Sequence, residues 1–261
     1  LVRRREAVVI YTLSIILGAL TQGSLMKRAI VNASLCSLST ATSVSAIPSM
    51  LGIPLSVNFA LYTSQIGCEL LQKAELTKLI YACEAWAVSL ILCFAISIPL
   101  QSFLSRQLPK SKSLIKALSL YRLLLMLLSS AMSFVVGANT FGFLIHFAKE
   151  RISFTIVTIS TVLGSSILYR KSLERFAFGF FRIGLSHAMT CLIMSITLVE
   201  AATLLSIPLS ASLISTTSIY ASGFAAPYRI IRSRNYVAYL LTQVASIPLA
   251  LSIGFLISLI K

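Results

Sequence analysis

Gly52-Ile53-Pro54-Leu55-Ser56-Val57-Asn58 and Ser206-Ile207-Pro208-Leu209-Ser210-Ala211-Ser212 decide how this chain is read. Both carry Ile-Pro-Leu-Ser, the second copy 154 residues after the first, and each joins two apolar segments. A second pair, Ile98-Pro99-Leu100 and Ile247-Pro248-Leu249, recurs at nearly the same offset. Proline suits the first turn of a helix, where its missing N–H leaves nothing unpaired. The spacing therefore predicts one helix starting at Pro54 and another at Pro208. In an apolar chain, matching proline-broken segments in two halves predict the internal repeat of a secondary transporter, with a binding site at the breaks.

Composition supports a membrane setting. Hydrophobic residues make up 57% of the 261 residues and charged residues 11%, and mean hydropathy is +0.92. Soluble domains carry about a quarter charged residues, so much of this surface must face lipid. Apolar segments at 6–26, 35–51, 54–71, 78–104, 118–148, 152–169, 183–205, 208–226 and 236–260 show no period-2 alternation. The fold class expected is thus all-α: a multi-pass protein of the cell membrane whose helices are proline-broken or re-entrant. The short segments 35–51 and 54–71 fit either a crossing or a re-entrant turn.

Twenty-two Lys and Arg face seven acids, all Glu. The basic residues sit in short clusters between apolar segments, where topology accounts for them without nucleic acid; anionic lipid headgroups are the expected general partner. The richest stretch, Arg106, Lys110, Lys112, Lys116 and Arg122, is placed in the cytoplasm. Counting from it puts Arg3-Arg4-Arg5, Arg170-Lys171 and Arg229 inside, and leaves Lys27-Arg28 and Lys73 outside, against the rule. Segment 78–104 then runs opposite to its partner 236–260, an inverted repeat. The expected organisation is a first repeat over 1–105, a cytoplasmic basic linker over 106–117 and a second repeat over 118–261. The first repeat is short of one segment: the partner of 118–148 would fall before Leu1. The arginine-led start is read as a first span and not as a signal peptide, being too long and lacking a small-residue cleavage site.

Few polar groups stand inside the spans. Gly137-Ala138-Asn139-Thr140 interrupts a helix-forming run, and a buried Asn in lipid needs partners. Small residues there also fit plain helix–helix packing. Behind the two prolines, the free N–H groups and positive dipole end of each helix favour an anion, with Ser56, Asn58, Ser210 and Ser212 as added donors; a Ser-capped loop is the simpler alternative. Glu84 and Glu200 lie in apolar context but near outer ends. His146 and His187 lack a second ligand at metal spacing, and Cys36, Cys68, Cys83, Cys93 and Cys191 show no Cys-x-x-Cys pattern. No metal or cofactor is expected. Gly-x-Ser-x-Gly, His-Glu-x-x-His and phosphate-loop motifs do not occur, so no enzyme is expected either.

Gly137-Ala138-Asn139, Gly52-Ile53-Pro54-Leu55-Ser56 and Ser206-Ile207-Pro208-Leu209-Ser210 together resemble the inorganic phosphate transporter family, the Pit-type phosphate permeases. That family carries Gly-Ala-Asn-Asp-x-x-Asn near the start of each half and Gly-Leu-Pro-Val-Ser-Thr-Thr-His later in each. Arg5-Glu6-Ala7-Val8 through Leu17-Gly18-Ala19 also resembles the span after the first motif. The order of features fits nearly the whole chain. The resemblance implies that two broken-helix tips and the Asn-bearing helices enclose a phosphate near the midplane. Asn139, Thr140, Ser56, Asn58, Ser210 and Ser212 would bind it, with sodium or a proton as the coupled cation. The departures are definite. The motif Asp is Thr140 here, the later Asn is Phe143, the Thr-Thr-His positions read Val57-Asn58-Phe59 and Ala211-Ser212-Leu213, and the first-half Gly-Ala-Asn-Asp is absent. The lost Asp leaves little charge to hold sodium.

The expectation is a cation-coupled phosphate symporter working by alternating access. Sulfate is a second oxyanion of similar shape, and another solute held by a carboxylate is a further alternative. A relative that kept the fold and lost transport is the reading from a different class. A homo-oligomer is compatible with any of them.

Overall fold

In the computed structural model the described residues are 4–29, 40–41, 44, 56–69, 76–107, 114–147, 159, 184–225 and 233–260. Among them all regular structure is helical. Helix α1 (Arg4–Thr21) bends by 57° into a 3₁₀ segment (Gly23–Ala29). Then come α2 (Val57–Glu69), α3 (Leu76–Gln107) and α4 (Leu114–Val136). A π-helical turn (Gly137–Phe141) leads into α5 (Gly142–Phe147), followed by α6 (Leu185–Leu204), α7 (Ala211–Phe224) and α8 (Ser233–Ile260).

Among the described residues four stretches are long and apolar enough to cross a membrane: Ile80–Gln107, Leu118–Ile145, Leu185–Leu204 and Tyr236–Leu256; the bent pair at the start makes a fifth if it is one span. Helices α2 and α7 have 13 and 14 residues. At 1.5 Å per residue they reach about 20 Å, against a hydrocarbon core of about 30 Å. Segments 54–71 and 208–226, read from sequence as candidate spans, thus contain helices that go only part of the way. The apolar segment 35–51 lies almost wholly outside the described residues, as does 152–169.

These two short helices form the centre. Residues 58–67 of α2 are all buried, as are most of α7 from Leu213 to Ser222. Helix α2 packs along α8, α7 packs along α3, and α6 and α7 form a hairpin. Each short helix therefore lies against a long proline-containing helix from the other part of the chain. The long helices turn Val9, Leu13 and Leu17, Val88 and Ile91, Leu123 and Leu127, and Leu241 and Val244 outward, while Thr63, Ser64 and Gln65, Ser97, Ser195, Thr217 and Ser218 are buried. Apolar outside and hydroxyl-rich inside is the distribution expected in lipid, where hydroxyls and small residues join helices. Ser97 and Ser218 meet at 2.9 Å and Ser195 and Ser215 at 2.8 Å.

Pro99 and Pro248 do not break their helices; α3 and α8 run through them. One missing backbone bond does not end a helix packed along its length, since neighbouring groups re-satisfy the freed carbonyl. The interruption falls at Pro208 instead. Pro54 lies outside the described residues.

Glycines set the spacing on the other side. A Cβ on Gly18 would strike the Phe134 carbonyl, and one on Gly137 the Ile15 carbonyl, so α1 and α4 cross backbone to backbone. Gly23 and Gly142 abut in the same way. The small-residue packing that the sequence allowed at Gly137 is therefore real, Gly142 shares in it, and it coexists with the buried hydrogen bonds of Asn139.

Candidate functional site: two capped helix starts around an asparagine pair

The hairpin tip between α6 and α7 is built by a specific helix stop. Ser206 N–H donates to the Thr203 carbonyl at 3.0 Å and Ile207 N–H to the Ala202 carbonyl at 2.8 Å. That pair of bonds is the Schellman pattern, which needs a left-handed residue at its centre. Ser206 supplies it with φ 59°, in a position glycine usually holds. The Ser206 hydroxyl donates to the Leu25 carbonyl at 2.8 Å, tying the tip to the 3₁₀ segment. Gly52 occupies the matching place in the first Ile-Pro-Leu-Ser stretch.

Residues 207–210 then lie outside any helix, with Ser210 extended, and α7 starts at Ala211. Pro208 is therefore not in the first turn of the helix, as the sequence suggested. Ser210 is the N-cap, with its Oγ accepting from Leu213 N–H at 3.2 Å. A serine cap is worth about 1 kcal/mol, and it puts the N-cap two residues beyond Pro208. Ser56 does the same for α2, accepting from Phe59 N–H at 3.2 Å. The two stretches thus end in the same device.

Between the two caps lie the asparagines. Asn58 Nδ2 donates to Asn139 Oδ1 at 2.8 Å, to the Leu209 carbonyl at 2.8 Å and to Thr140 Oγ1 at 3.2 Å. Asn139 Nδ2 donates to Thr203 Oγ1 at 3.0 Å and the Ile207 carbonyl at 3.2 Å, and touches Met26 Sδ at 3.8 Å. The π-helical turn explains the position of Asn139: an extra residue per turn pushes it off the α4 helical track, a local feature frequent at functional sites. Asn139 is wholly buried and Asn58 nearly so. Asn58 Oδ1 is buried without a partner among the described residues.

All six residues singled out from sequence fall in this region. Asn58 bonds both Asn139 and Thr140, Ser210 and Ser212 meet at 3.1 Å, and the Ser56 N–H donates to Gln243 Oε1 at 3.1 Å. Sequence reading missed Thr203, Gln243 and Trp86. Trp86 Nε1 donates to the Pro208 carbonyl at 3.0 Å, while its ring stacks on Phe59 at 3.9 Å, so one side chain braces both tips. Its signal was available: it is the chain's single tryptophan, set inside an apolar span. Gln243 stood out likewise as an amide amid apolar residues.

The site holds no carboxylate or cation among the polar groups just described. Its donors are amide and hydroxyl protons and the open N–H groups of two helix starts. Glu84 is exposed; Glu200 lies one turn before Thr203 and has one carboxylate oxygen buried with no partner among the described residues. His187 Nδ1 is buried near Gly184, at the start of α6, and likewise has no partner among them. No group of three His, Cys, Asp or Glu side chains that could hold a metal occurs among the described residues. Among the described residues, Cys68, Cys83, Cys93 and Cys191 form no disulfide.

No protein-family profile matches the chain, and no curated protein matches it by sequence. A solved structure does match: "The sodium-dependent phosphate transporter", with a TM-score of 0.82 at 16% identity, over 100% of this chain and 90% of that one. The chain is a polytopic membrane protein with the fold of that transporter. This is the fold that the Pro-Leu-Ser and Gly-Ala-Asn resemblance implied.

Proposed function

We propose that this chain is a secondary transporter that moves inorganic phosphate across the cell membrane by alternating access, coupled to sodium or a proton. One observation carries the reading: two half-length buried helices, α2 and α7, begin at serine caps on either side of Asn139 and Thr140. Helix starts present uncompensated N–H groups and a positive dipole end, a ready oxyanion site. Serine protons and the two asparagine amides add donors. No acid stands among those polar groups, so none of them repels a dianion.

The fold shared with a sodium-dependent phosphate transporter supports phosphate as the solute and sodium as the ion. The buried Asn58 Oδ1 and the carbonyls of Ile207 and Leu209 are uncharged oxygens of the kind a hard cation accepts. The reciprocal packing of α2 on α8 and α7 on α3 supports an inverted repeat, 1–105 against 118–261 about the 106–117 linker. Asn58 Nδ2 is bonded to Asn139 Oδ1, so phosphate must displace that bond. Asn139→Ala and Ser210→Ala should each reduce labelled phosphate uptake by reconstituted protein at least tenfold while the chain still inserts. Full uptake by both variants would remove this site.

The same asparagine bond favours a second reading. A centre filled by its own side chains, with Thr140 where the family has Asp, is what a relative that has lost transport would present. A folded chain that neither takes up nor binds phosphate would establish that reading.

A further inference from the structure

Beside the asparagine pair lies a cavity of about 370 Å³. Arg28, Thr77, Tyr62, Tyr81, Ser206 and the Ile207–Pro208 segment line it, with no carboxylate among the lining residues. Its wall toward the site is thin. Ile207 and Pro208 face the cavity, while the carbonyls of Ile207 and Leu209 hold Asn139 and Asn58. On the same 3₁₀ segment as Arg28, Met26 touches Asn139 and the Leu25 carbonyl holds Ser206. The 57° bend after Thr21, at the close approach of Gly23 to Gly142, carries the chain from α1 to this rim.

The sequence count of basic clusters expects Arg28 on the side where positive charge is disfavoured. The count that places most basic clusters inside leaves Lys27-Arg28 outside, grouped with the start of α3 that bears Thr77 and Tyr81. A cation retained against the topological trend, in a concave wall with no acid among the described lining residues, focuses an attractive field for anions.

We propose that this cavity is an antechamber for a tetrahedral oxyanion, held first by the Arg28 guanidinium and the Thr77 hydroxyl before the Ile207–Leu209 strap admits it to the asparagine pair. The assignment rests on the phosphate-transport reading for what the anion does next. Planar, bidentate donors make guanidinium well suited to phosphate. The phosphate group could come from free solute or from a lipid headgroup; the lining shared with the site through Ile207 and Pro208 favours free solute.

The test needs no transport. Thr77→Cys is introduced, and the protein is placed in nanodiscs of phosphatidylcholine alone. Rates of labelling by an anionic and a cationic methanethiosulfonate of similar size are each divided by the rate with free cysteine, after subtracting the background of the native thiols. The antechamber predicts a preference for the anionic reagent of about tenfold, slowing by millimolar inorganic phosphate, and loss of both effects in Arg28→Gln with partial return in Arg28→Lys. Equal normalised rates for the two reagents, or a preference unchanged by Arg28→Gln, overturn it. Slowing by added anionic lipid but not by inorganic phosphate assigns the cavity to a headgroup and also overturns it. In liposomes, Arg28→Gln should raise the half-saturating phosphate concentration about tenfold at unchanged maximal rate. Unchanged half-saturation overturns the antechamber and leaves the central site standing. Absent uptake by the parent with the labelling pattern intact overturns the transport reading alone.

Discussion

Asn58 Nδ2 donates to Asn139 Oδ1 at 2.8 Å, joining the start of α2 to the π-helical turn after α4 across 81 residues of sequence. Both side chains are buried, and both also hold carbonyls of the α6–α7 tip. The pair therefore fixes three elements at once.

Removing either amide should cost stability as well as function. Asn139→Ala strands Thr203, the Ile207 carbonyl and one Asn58 proton, and should destabilise the protein by about 1–2 kcal/mol, the upper part of the range for buried hydrogen bonds between membrane helices. In a double-mutant cycle, Asn58→Ala and Asn139→Ala should couple by about 1 kcal/mol. Thermal unfolding in detergent measures both; simple additivity would contradict a direct bond.

Ser206 offers a separable test of the tip. Ser206→Ala keeps the left-handed backbone strain and loses the bond to Leu25, so it should destabilise by about 1 kcal/mol. Ser206→Gly loses the same bond but relieves strain of similar size, so its melting temperature should stay near that of the parent. The reverse order would contradict the Schellman reading.

Gly137→Ala sets two forces against each other. Alanine favours helix by about 1 kcal/mol, but its Cβ would meet the Ile15 carbonyl backbone, which cannot swing aside. The clash should win and lower stability by about 1–3 kcal/mol, as overpacking does, and move Asn139 enough to reduce uptake. A stabilised Gly137→Ala protein would show that α1 and α4 do not cross this closely.

Trp86 is a built-in reporter. As the chain's single tryptophan, bonded to the Pro208 carbonyl and stacked on Phe59, it answers for both tips. Phosphate should change its emission, excited selectively over tyrosine, in a saturable way that Asn139→Ala abolishes. Trp86→Phe keeps the stack and loses the bond, and should weaken phosphate affinity several-fold.

The repeated Ile-Pro-Leu-Ser stretches made much of this legible in advance, because capping and proline chemistry are local. Ser56 and Ser210 cap helices for the reasons their sequence context gives, and Asn139 stood out as a polar residue in an apolar run. The exact helix start was less legible: Pro208 and Ser210 both suit one, and the serine oxygen prevailed. Pro99 and Pro248 resemble Pro208 in sequence, yet lie within unbroken helices, since packing along α3 and α8 decides and not the proline alone. Thr203, Gln243 and Trp86 join the site through contacts between distant segments, which no local pattern encodes. The bend that carries Arg28 to the cavity rim depends on glycine-to-glycine packing and was equally hidden.

The central claim is most directly tested by uptake of labelled phosphate into liposomes holding the purified chain, under imposed sodium or proton gradients, with sulfate as competitor. Saturable uptake that follows one of the gradients, is reduced by excess unlabelled phosphate and is lost in Asn139→Ala is the predicted result. No gradient-dependent uptake by a chain that is folded and inserted would contradict it, and leave a transporter fold whose centre is closed by its own asparagines.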